Sequence, residues 1–86
     1  MANKEEKKNG RPKTAAELMA MFDFVGKFNE GLAAVKKGNQ WFHIHPDGKA
    51  AYKARFSWTG RFNGGKASAS QGYITFNIDV NGERVG

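Results

Sequence analysis

A chain of 86 residues holds one small domain, and at this size folding buries only ~60% of the surface that the unfolded form exposes. It contains no cysteine, which excludes disulfides, thiolate metal sites and cysteine nucleophiles. The net charge of +6 divides as +2, +3 and +1 over residues 1–21, 22–55 and 56–86, so no segment stands out as a dedicated polyanion-binding arm.

Residues 1–13 carry Lys4, Lys7, Lys8, Arg11 and Lys13 among Glu5, Glu6, Asn9, Gly10 and Pro12. Almost nothing there can be buried, and a disordered basic tail is expected. The start lacks the apolar run of a secretory signal, and no stretch approaches the ~20 apolar residues of a membrane span. Together with the missing cysteines, this fits a cytoplasmic protein with no membrane partner. Thr14-Ala15-Ala16-Glu17 then has capping-box spacing, in which the Thr hydroxyl and the Glu carboxylate satisfy each other's amides. A short helix is expected over 14–21.

The main signal follows. Residues 22–51 align with 56–85 at a shift of 34 without a gap, and 10 of the 30 pairs are identical. The identities are mostly glycine and aromatic: Phe22/Phe56, Gly26/Gly60, Phe28/Phe62, Asn29/Asn63, Gly31/Gly65, Ala33/Ala67, Gly38/Gly72, Phe42/Phe76, Ile44/Ile78 and Gly48/Gly82. This is a duplicated structural unit, 22–55 and 56–86. Its glycines exclude a two-helix repeat of the same length, since each glycine inside a helix costs ~0.5–1 kcal/mol relative to Ala.

Apolar residues recur with period two: Phe42 and Ile44 in the first unit, Ile74, Phe76 and Ile78 in the second. Each unit reads as a hairpin, with strands expected at 32–37, 40–45 and a shorter 49–53, then 66–70 and 73–78. Turns fall at Gly38-Asn39, Pro46-Asp47-Gly48 and Asn81-Gly82. Residues 26–31 and 60–65 read as tight turns, each placing one Phe inward. Register assigns Phe42/Phe76, Ile44/Ile78, Phe28/Phe62, Ala33/Ala67 and Val35/Ala69 to the core. Trp41, His43 and His45 fall on the opposite face, where the second unit carries Thr75, Asn77 and Asp79. The fold class is therefore mainly β, two tandem 34-residue antiparallel hairpin repeats forming a propeller-like or small barrel-like sheet.

The run Phe28-Asn29-Glu30-Gly31-Leu32-Ala33-Ala34-Val35, a short turn, Trp41-Phe42-His43-Ile44 and then Asp47-Gly48-Lys49 resembles a bacterial WG repeat. The resemblance covers about residues 22–85 and is stronger in the first unit. Gly64 and Lys66 replace the motif's Glu and Leu in the second. The glycine of the name-giving Trp-Gly pair is Phe42 here and Phe76 in the second unit. The resemblance implies tandem β architecture and little chemistry.

Two units are few for a repeat array, whose stability comes from neighbours covering each other's apolar faces. A homo-oligomer, or closure into a small sheet, is expected. His43, His45 and Asp47 are the nearest approach to a metal site, but two imidazoles without a third strong ligand read as a strand face ending in a turn. The carboxylates Asp23, Glu30, Asp47, Asp79 and Glu83 fall mostly at turns, and Ser57, Ser68 and Ser70 lack a nucleophile context. The Gly-rich 60–65 segment lacks the ending and following helix of a phosphate loop. No enzymatic activity, cofactor or metal is expected. The leading expectation is a module for protein–protein contact or self-assembly, through a sheet edge and the Trp41/His43/His45 face. The alternative is nucleic-acid binding, with Trp41, Tyr52, Trp58 and Tyr73 stacking bases and Lys36, Lys37, Lys53, Arg55 and Arg61 meeting phosphates.

Overall fold

The computed structural model describes residues 11–86; the tail expected over 1–13 lies, for residues 1–10, outside the described residues. Lys13 is fixed at its amide, which donates to the Pro46 carbonyl at 2.9 Å. Helix α1, Ala15–Met21, starts at the expected capping box. The Thr14 amide donates to Glu17 Oε1 at 2.8 Å, and the Glu17 amide to Thr14 Oγ1 at 3.1 Å. Two turns of helix are too few to stand alone in water. Leu18, buried in the core, anchors α1 to the sheet.

Strands β1 (Phe24–Val25), β2 (Ala33–Lys37) and β3 (Gln40–Ile44) form one antiparallel sheet in that order. Strands β4 (Trp58–Thr59), β5 (Ala67–Gln71), β6 (Ile74–Ile78) and β7 (Arg84–Val85) form a second. The hairpin registers repeat at the shift of 34: Val35 pairs with Phe42 as Ala69 pairs with Phe76, and Ala33 with Ile44 as Ala67 with Ile78. Loop bonds repeat as well. Asn29 N–H donates to Leu32 O at 2.9 Å and Asn63 N–H to Lys66 O at 2.8 Å, while Gly48 to His45 and Gly82 to Asp79 are both 2.9 Å. Phe22 meets Phe42 edge-on at 5.9 Å, and Phe56 meets Phe76 at the same distance.

Both sheets are open, and the described strands close no barrel. They are joined through residues 49–59. The early part of this segment flanks β3, where Ala51 N–H donates to His43 O at 2.9 Å, and Trp41 and Phe56 exchange both backbone bonds at 2.8 and 2.9 Å. Its end, β4, pairs with β5. The expected strand at 49–53 is thus a single bridge, Ile44 with Ala50, followed by a bend. One continuous core runs through both units, with Val35, Ile44, Phe62, Ala69 and Ile78 fully buried.

Phe28 departs from the expected core. Phe62 is 0% exposed, but its counterpart Phe28 is 38% exposed. The reason is what lies next to each. Phe62 seats against β3 of the first unit, whereas Phe28 lines an open cavity together with Leu18 and Met19 of α1 and with Val25. Phe76 is half-buried.

Candidate functional site: the aromatic cleft between the repeats

Phe24, Lys36 and Trp41 form one row across the first sheet, since Phe24 pairs with Lys36 and Lys36 with Trp41. The next row is Ala34 and His43, with Gly26 beside Ala34. The small residues leave the sheet surface low there. A Cβ on Gly26 would stand 3.2 Å from the Ala34 carbonyl oxygen. The second unit lays Gly60 to Phe62 onto this low surface.

His43 is the fastener. Its Nε2 lies 2.7 Å from the Gly60 carbonyl oxygen, which only accepts, so Nε2 carries the proton. Its Nδ1 therefore accepts from the Tyr52 hydroxyl, 2.6 Å away. The Phe62 ring covers the imidazole at 4.5 Å between centroids. Burial pushes the His43 pKa down, against a smaller upward pull from the Gly60 hydrogen bond. The same burial drives the Tyr52 phenol upward, so both groups are neutral at pH 7.

Beside this fastening lies a cleft of about 340 Å3. Three rings wall it: Phe24 and Trp41 at 5.4 Å and Trp41 and Trp58 at 6.5 Å between centroids. Trp58 folds over its own Gly60, where an added Cβ would be 3.0 Å from the indole. Phe24 and Trp58 remain 49% and 43% exposed. Lys27 and Arg61, both exposed, are part of the lining, and among the described residues no carboxylate contributes to it. The nearby acids are engaged elsewhere: Asp23 accepts from the Gly38 amide at 2.7 Å, and Glu30 accepts from Gly64 and Gly65 at 2.6 and 2.9 Å.

Residues 20–41, from the end of α1 to the cleft's Trp41, match the family model for a WG containing repeat. That segment is similar to a WG containing repeat, over about a quarter of the chain. No curated protein and no solved structure matches it. The matched segment supplies Phe24, Lys27 and Trp41, and the second unit closes the cleft with Trp58 and Arg61.

The structure sorts the residues expected to bind. Trp41, Trp58 and Arg61 come together, with Lys36 in the same row. His43 and Tyr52, expected at a free surface, are buried, because the second unit covers the face that period two assigned to solvent. Both ring nitrogens of His43 are used, so none is free for a metal. Among the described residues no group of three or more His, Cys, Asp or Glu is placed to hold one. His45 is exposed beyond the fastening, and Asp47 accepts from the Lys49 amide within its turn at 2.9 Å. Arg55 stacks 3.8 Å over Phe42 and donates to the Tyr52, Lys53 and Ala54 carbonyls, a packing role. Lys37 extends toward Phe22 at 6.0 Å, and Tyr73 stands fully exposed at the tip of the second hairpin. Phe24 and Lys27 were missed as site residues. Their repeat partners are Trp58 and Arg61, so the internal alignment held the signal. No described helix is long and apolar enough to cross a membrane.

Proposed function

We propose that this WG-repeat chain is a non-enzymatic module for protein–protein contact, self-association included. One observation carries the reading. Equivalent faces of the two units have unequal surroundings: the first unit's His43 face is covered by the second unit, while Thr75 and Asn77 on the second unit's face, with Tyr73 at its tip, are exposed. Ile74 and Val80 nearby are 57% and 50% exposed. A sheet face left uncovered at the end of a repeat stack is what a further repeat, or a partner presenting one, would cover.

The N-terminal end already has α1 packed beside it, so contact through the open end joins two copies tail to tail rather than in a growing filament. Sedimentation velocity over a wide concentration range tests this. A concentration-dependent dimer that Tyr73→Glu disperses supports it. A monomer at every concentration that also retains no protein partner in cross-linking removes it.

A further inference from the structure

We propose that the cleft between the two repeats binds single-stranded nucleic acid, stacking one or two bases on the Trp58 and Phe24 faces while Arg61 and Lys27 meet the flanking phosphates. The site does not overlap the open end of the second unit, so this stands independently of self-association.

The chemistry of the lining selects the ligand. Three aromatic rings stand side by side and two of them are about half exposed, an arrangement that leaves flat apolar faces without partners. Bases stack on such faces whatever their sequence. Each unit contributes the same pair three residues apart, Phe24 with Lys27 and Trp58 with Arg61. A tandem of ring plus cation matches a polymer whose own repeat is a base plus a phosphate. Lys36 adds a third cation in the Phe24–Trp41 row, and the nearby Asp23 and Glu30 carboxylates are bound to backbone amides.

Other occupants use less of the site. A proline-rich peptide fits aromatic grooves but leaves the cations without a role. An acidic peptide uses the cations and leaves the rings bare. A duplex hides its base faces in its own stack. A volume near 340 Å3 is at the small end of ligand sites, room for about one nucleotide unit in the cleft, with the strand continuing past it.

Both tryptophans of the chain, Trp41 and Trp58, line the cleft, so intrinsic fluorescence reports this site directly. The full chain is titrated with an unlabelled oligothymidylate of about a dozen nucleotides, its duplex with oligoadenylate, a proline-rich peptide and a polyglutamate. Saturable quenching by the single strand alone is expected. With three cations engaged, affinity should fall ~20-fold between about 50 and 200 mM salt. Arg61→Glu, an exposed site outside the core, should weaken binding at least ~10-fold with the circular dichroism spectrum unchanged. Trp58→Ala should cost at least ~5-fold, read by anisotropy of a labelled strand. Quenching by either peptide in place of the oligonucleotide, no quenching by the single strand, or binding that the folded Arg61→Glu chain retains in full, overturns the proposal.

Discussion

The Glu30 carboxylate of the first unit spans two adjacent amides of the second, 2.6 Å from Gly64 N and 2.9 Å from Gly65 N. Asn29 adds a bond from its side-chain amide to the Phe62 carbonyl. The turn of one unit thus clips the turn of the next. Glu30 holds this position at φ 57, left-handed backbone, whereas its counterpart Gly64 takes φ 65 with no side chain to accommodate.

Strain and clip can be separated by substitution. Glu30→Ala keeps the left-handed backbone and loses the carboxylate, and should destabilise the chain by ~1–2 kcal/mol. Glu30→Gly loses the same bonds but relieves the backbone, and should cost ~1 kcal/mol less than the alanine variant. The bonds are exposed, so solvent screening keeps their share small. Urea melts of the two variants side by side check this, and equal losses would show that the left-handed backbone carries no cost.

Acid should loosen the junction. The folded state depresses the His43 pKa, so the neutral ring's stabilisation is complete above the unfolded value near 6.5 and is lost as pH falls through the folded one. Between these values the unfolded chain takes up a proton that the folded chain refuses, which lowers stability by at most ~1.4 kcal/mol per pH unit. Melting temperature should fall from pH 7 to pH 5. His43→Gln, lower in stability at neutral pH, should show a flatter profile over that interval.

Phe28 and Phe62 are equivalent in the repeat but not in the stack. Phe62→Ala removes a fully buried ring and should cost ~3–5 kcal/mol, enough to leave much of so small a domain unfolded at 37 °C. Phe28→Ala, at a site 38% exposed, should cost less than half as much. Thermal unfolding by circular dichroism distinguishes them. Similar losses would mean that both phenylalanines are load-carrying parts of one core.

Gly82 and Gly72 share a backbone conformation but not their surroundings. Both have positive φ, at 78° and 65°. A Cβ at Gly82 would fall 2.7 Å from the Tyr52 ring, while one at Gly72 would meet nothing within 4 Å. Gly72→Ala should therefore cost only the backbone term, ~1 kcal/mol, and Gly82→Ala ~1–3 kcal/mol more through overpacking against Tyr52. Chemical denaturation of both variants gives the difference directly.

Much of the fold was legible because two signals coincide. Identity at a shift of 34 marks the units, and period two fixes the registers of β2 with β3 and β5 with β6. Thr14 and Glu17 placed α1 through side-chain chemistry alone. The two-residue strands β1, β4 and β7 were not legible, being too short to show alternation. Parity correctly set His43 opposite Phe42, but only the laying of Gly60–Phe62 across it decides that this face is covered. For the same reason identical motifs could not distinguish Phe28 from Phe62. Half of the cleft was readable in Trp41, Trp58 and Arg61. The other half, Phe24 and Lys27, depended on which rows of the first sheet the second unit leaves open.

The passage from Ala50 to Thr59 gives its hydrogen bonds first to one sheet and then to the other. The unit that was duplicated is consequently out of phase with the unit that folds. A chain divided between Arg55 and Phe56, where the duplication places its boundary, would strip β3 of its Phe56 partner and part Trp58 from Trp41. Neither piece would be an excisable module, and the two halves should lose amide protection together rather than one after the other.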